Sequence, residues 1–148
     1  QLKLLDIRDF GMQTAAMLER RVGRGEFVAI AADRTPASLN ENVVEASFLG
    51  RSAPFPTGPF IIASLLGCPV YLMTCVRESG RYRIDVVHFA EKVTLSRRNR
   101  TADLRYWAQR YAEDLEARAL ETPLQWFNFY DFWGHSVADE DGHERHAR

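Results

Sequence analysis

The sequence predicts an α/β fold, a partial mixed sheet with flanking helices, and three observations carry that expectation. The run Phe27-Val28-Ala29-Ile30-Ala31-Ala32 is apolar without alternation, which suits a strand covered on both faces. Residues 102–121 place Leu104, Trp107, Ala108, Tyr111, Leu115 and Ala119 along one helical stripe. Two strand-like runs, Pro69 to Val76 and Tyr82 to Val87, flank the turn signal Glu78-Ser79-Gly80 and read as a hairpin. A chain of 148 residues with 46% in the hydrophobic class can bury one core.

The remaining elements follow in order. Residues 11–24 read as a helix on Ala15, Leu18 and Val22, ended by Gly23 and Gly25. After the apolar run, Asp33-Arg34-Thr35-Pro36 stops the strand and a polar loop reaches Asn42. Val43 to Leu49 is a second, shorter strand. Gly50 to Pro59 is dense in turn residues. Phe60 to Leu66 reads as a short apolar helix with Thr57 as N-cap, Pro59 in the first turn and Gly67 closing it. Pro123 interrupts the long helix, and an aromatic segment runs from Trp126 to Trp133. Residues 1–133 are read as the folded portion and 134–148 as a polar, disordered tail.

Nineteen basic residues against twenty acidic ones give a formal charge of −1, which excludes a protein that grips nucleic acid through bulk positive charge. No run of eighteen apolar residues is present to span a bilayer. The chain begins at Gln1 without Met or a signal-peptide pattern and is read as a processed product or a fragment. Cys68 and Cys75, if both lie in one strand, sit on opposite faces roughly 23 Å apart, too far for a disulfide. Each is expected as a buried small hydrophobe in a reducing, cytoplasmic setting.

Four constellations offer chemistry. Asp33-Arg34 would stand at the carboxyl end of a buried strand, where ligands gather in open α/β sheets and an arginine fork suits a phosphate or carboxylate. A solvated strand exit is the plainer alternative. Phe55-Pro56-Thr57-Gly58-Pro59 leads into a helix whose free N–H groups favour an anion, or it is a proline-stiffened turn with an ordinary cap. At helical spacing Trp126, Phe129, Tyr130 and Trp133 share a face suited to a membrane or partner surface, although packing onto the domain is the favoured reading. His135 and Glu140 have the spacing of an acyltransfer dyad but fall in the polar tail, away from a rigid frame. His88 is read as a structural histidine, and His143 and His146 as tail residues. No metal site and no catalytic residue is assigned.

Several segments, taken in order, carry a resemblance. They are Gly25-Glu26-Phe27-Val28-Ala29-Ile30-Ala31-Ala32-Asp33-Arg34, Phe48-Leu49-Gly50 with Phe55-Pro56-Thr57-Gly58-Pro59, Leu66-Gly67-Cys68-Pro69-Val70, and Pro123-Leu124-Gln125-Trp126-Phe127. Over about residues 10 to 133 the chain resembles the lipid A biosynthesis acyltransferase family, the bacterial lauroyl and myristoyl transferases of the lysophospholipid acyltransferase superfamily, and looks closest to a divergent branch.

The resemblance implies the C-terminal portion of an acyltransferase-type α/β domain at the cytoplasmic face of the inner membrane. The reaction implied is transfer of a fatty acyl group from acyl carrier protein or acyl-CoA to a hydroxyl of a lipid or glycolipid, with no cofactor. The family's His/acid dyad would precede the matched region, so this chain alone is expected to be inactive. Arg34 falls where a basic residue meets the acceptor's phosphate. Phe55, Pro56 and Gly58 match the next block, and Pro69 the one after. Thr57 stands where glycerol-phosphate acyltransferases carry Glu, which argues against a glycerol-3-phosphate acceptor. The missing half, or self-association, is expected to cover the cut sheet. The other reading is a non-catalytic module that binds a phosphorylated lipid or acyl carrier.

Overall fold

The computed structural model describes residues 4, 11–33, 42–129 and 131–133. The architecture is mixed α/β: among the described residues, three α-helices and two separate two-stranded antiparallel sheets. The expected mixed sheet is not seen among the described residues, because the strand that would have supplied it does not form. Residues 27–32 run without strand pairing, and Phe27 is 96% exposed. Three of the six are alanine, a poor strand former.

Helix α1 (Met12–Val22) buries Leu18 and packs on the second helix. Past its C-terminus, Gly25 takes φ 81°, a left-handed turn that glycine adopts without strain. Strands β1 (Val43–Phe48) and β2 (Arg51–Pro56) form the first hairpin, with Val44 opposite Phe55 and Ala46 opposite Ala53. Leu49 and Gly50 join them at φ 50° and 77°, the paired positive values of a type I′ turn. The turn-rich reading of Gly50 to Pro59 is therefore corrected: most of it is strand. The prolines are tolerated for a geometric reason. Thr57 N–H donates to Asn42 O at 2.9 Å, so odd-numbered residues of β2 face β1 and Pro54 and Pro56 face outward, where no ladder bond is lost.

Helix α2 (Gly58–Leu66) begins at Thr57 and ends at Gly67, whose φ of 59° gives the left-handed stop. Strands β3 (Val70–Glu78) and β4 (Arg81–Ala90) form the second hairpin over Ser79 and Gly80, at φ 49° and 80°. Helix α3 (Arg100–Glu121) lies across β1, and a 3₁₀ turn follows at Pro123–Gln125. Trp107, Ala108, Ala112 and Ala119 turn inward with Leu104, the alanines letting the helix approach the sheet closely.

The core joins these elements through Phe48 and Phe55, both fully buried, with Val93 and Phe89. Phe48 meets the rings of Phe55, Trp126, Phe132 and Trp133 at 5.2 to 6.1 Å. The aromatic segment is thus not a helix with one shared face. Trp126 and Trp133 pack against Phe48, while Phe129 points to solvent at 90% exposure. Arg34, Tyr130 and the expected tail at 134–148, with His135, Glu140, His143 and His146, lie outside the described residues. Among the described residues no helix is long and apolar enough to cross a membrane.

Candidate functional site

A cavity of about 1020 Å³ opens among α2, the second hairpin, α3 and residues 25–32. Its size lies at the upper end of ligand pockets, roughly 300–1,000 Å³. The wall is mostly apolar, with aliphatic side chains in the majority and the rings of Phe27, Phe60 and Phe89 among them. Helix α2 contributes Ile62, Ala63 and Leu66, β3 contributes Leu72 and Met73, and α3 contributes Leu115. Among the described residues, charge is confined to Glu26, Asp114 and Arg118.

Much of the polar lining is on α3, where Tyr111, Asp114 and Arg118 share one side with Leu115 by helical spacing, and Glu26, Tyr71 and Thr74 add to it from elsewhere. Tyr111 stands edge-on to Phe55 and Phe60 at 6.0 and 6.3 Å. Burial, and secondly the negative charge of Asp33, push its phenol well above the usual tyrosine range, so it remains a neutral donor. Arg118 donates to Glu121 at 3.1 Å, and Glu121 accepts from Arg83 of β4 at 2.9 Å. Those hydrogen bonds, Arg83 first, hold the Glu121 carboxyl below the usual range. Arg83 also reaches Glu78 at 3.0 Å, and its Nε lies 3.1 Å from Asp85 without hydrogen-bond alignment. This exposed network ties the hairpin to the end of α3 beside the cavity.

The residues anticipated as a substrate site are placed differently. Phe55 is fully buried in the core and is no ligand contact. Pro56 lies on the outer edge of β2. Thr57 is 5% exposed, and its hydroxyl donates to Asn42 O at 3.1 Å instead of capping α2. Gly58 opens α2 and is half-buried. None of these four lines the cavity, nor does Asp33, although their neighbours Ala32 and Pro59 do. Asp33 and Phe55 are nonetheless brought to one place through Tyr111. Trp126 and Trp133 are drawn into the core, where Arg51 lies 5.4 Å over the Trp133 ring.

The cysteines are free. Cys68 is half-buried and lines the cavity, whereas Cys75 is exposed on β3, which corrects the expectation that both are buried. His88 stacks edge-on to Tyr71 at 5.4 Å, with Nε2 3.3 Å from Glu91 Oε1. The residues that sequence reading missed as lining were Tyr111, Leu66, Leu72 and Leu115. Tyr111 and Leu115 had been placed on the helical stripe, but nothing in the pattern separates a cavity wall from a closed core. Among the described residues no cluster of His, Cys, Asp and Glu could hold a metal ion. No family model, no curated protein and no solved structure matches the chain.

Proposed function

We propose that this chain is the C-terminal portion of an acyltransferase, and that its cavity holds the fatty acyl chain moved from acyl carrier protein or acyl-CoA to a hydroxyl of a lipid or glycolipid. The observation that supports this reading is the apolar cavity of about 1020 Å³ with charge, among the described residues, only at Glu26, Asp114 and Arg118. Such a wall offers an alkyl chain transfer out of water and offers a polar ligand almost nothing. Arg118 and neutral Tyr111 would face the thioester or acceptor end. The reaction would take place at the cytoplasmic face of the inner membrane, without a cofactor.

Proton removal from the acceptor hydroxyl requires a base. Among the described residues no histidine lines the cavity, and Tyr111 is held protonated. The base would therefore come from the dyad that the family resemblance implies before the matched region. The same observation favours, as second reading, a module that binds the acyl carrier or a phosphorylated lipid without chemistry.

The test is binding of saturated acyl chains in a graded series, read by displacement of a fluorescent fatty acid. Each buried methylene is worth about 0.8 kcal/mol, so affinity is expected to rise roughly fourfold per methylene until the cavity is full. Leu66→Glu, which puts a charge in the wall, should weaken the longest chain by at least tenfold. Affinity independent of chain length would exclude the cavity as an acyl site. An acyl-transfer assay on the full natural gene product then separates the enzyme from the binding module.

A further inference from the structure

The two hairpins present four strand edges, and three of them are obstructed. Ser47 on the outer side of β1 is held by Gln109, whose amide accepts from Ser47 N–H at 2.8 Å and donates to Ser47 O at 3.3 Å, under α3. Pro54 and Pro56 remove two of the three outward donors of β2, leaving that of Ser52. Arg77 on β3 is held in the same manner by Gln125, at 2.6 and 3.0 Å, and β3 borders the cavity from Tyr71 to Thr74. The fourth edge is different. Because Arg77 faces away from β4, the register directs the main-chain groups of Tyr82, Ile84, Val86 and His88 outward, and none has a partner among the described residues.

We propose that β4 pairs with β4 of a second copy of this chain, antiparallel about a two-fold axis through Asp85, giving a four-stranded sheet. The outward set is symmetric about Asp85. Tyr82 would meet His88 and Ile84 would meet Val86 of the second copy, each pair exchanging both hydrogen bonds. Tyr82, Ile84 and Val86 are 75%, 62% and 61% exposed and share one face with Met73 at 69%. Pairing brings two such faces together into one apolar strip. On the opposite face the two Asp85 carboxylates would meet at the axis, a like-charge pair, but each lies 3.1 Å from Arg83 of its own chain and diagonal to Arg83 of the other copy, so neither approaches as a bare charge. A two-stranded hairpin is marginal alone, and doubling it supplies the strands that an independent sheet needs.

This inference does not rest on the acyl-chain reading: Met73 and Val86 also line the cavity, but Tyr82, Ile84, Asp85 and His88 do not. Sedimentation velocity over a concentration series is expected to show a monomer–dimer equilibrium. Ile84→Pro, which removes an outward N–H as Pro54 and Pro56 do, should raise the dissociation constant at least tenfold while the circular dichroism spectrum and melting temperature hold. Ile84→Lys, which leaves the backbone intact, should do the same if the proline variant fails to fold. With Cys68→Ser and Cys75→Ser as background, Asp85→Cys should form an intermolecular disulfide under oxidation and Arg83→Cys should not, because only position 85 faces itself. A chain monomeric at every concentration overturns the proposal. So does a dimer that tolerates the Ile84 substitutions, or one that cross-links equally at both positions.

Discussion

Leu49 is held at φ 50°, a region that costs an ordinary L-residue about 1–2 kcal/mol. Two contacts offset that cost: its side chain packs on the core, and its N–H donates to Glu116 Oε2 at 2.8 Å. Ser79, at φ 49° in the second turn, is exposed, and its N–H has no comparable acceptor among the described residues. Glu116→Ala should therefore destabilise the protein by about 1.5–3 kcal/mol, the worth of a hydrogen bond to a charged group, in urea unfolding. A loss below about 0.5 kcal/mol, the scatter of ordinary surface substitutions, would mean that the carboxylate does not hold the turn.

The hairpins repeat one device at the level of the element. Each turns on two residues with positive φ, and in each the residue before the closing pair, Ser47 or Arg77, is clasped by a glutamine amide. Gln125→Ala should speed hydrogen exchange at the Arg77 amide and leave Ser47 protected; Gln109→Ala should do the reverse. Equal acceleration at both sites would show a global loss of stability instead. The second hairpin, α2 and α3 were legible in the sequence because glycine stops, a turn signal and a long helical stripe are local information. The first hairpin was half-legible. Proline reads as a breaker unless one knows which way its missing N–H would point, and that is set by Asn42 and Thr57 across the strand pair. Residues 27–32 misled for the complementary reason: an apolar run says that burial is favourable, not that it is reached by strand pairing. The candidate site was legible only in its neighbours, since Phe55 and Thr57 are used up by core packing and by Asn42.

For the molecule as a whole, two exposed carboxyls link stability to pH. Asp103 is lowered chiefly by the Ser96 N–H, which donates to it at 2.6 Å, and Glu121 by Arg83 and then Arg118. A depressed folded value stabilises above the unfolded pKa, about 4 for these groups, and that contribution is lost as pH falls through the lower folded values. Urea midpoints should therefore drop below pH 4, and less steeply in an Asp103→Asn, Glu121→Gln variant; identical slopes would exclude these two groups as the cause. The clasp of Gln109 on Ser47, finally, spans 62 positions of sequence, which turns a static contact into a matter of timing. At about 5–20 residues per second of synthesis, the first hairpin emerges roughly 3–12 s before the helix that covers it. During that wait Phe48 and Phe55 have no α3 to lie under, and the outward prolines of β2 keep that edge from recruiting a neighbouring nascent chain.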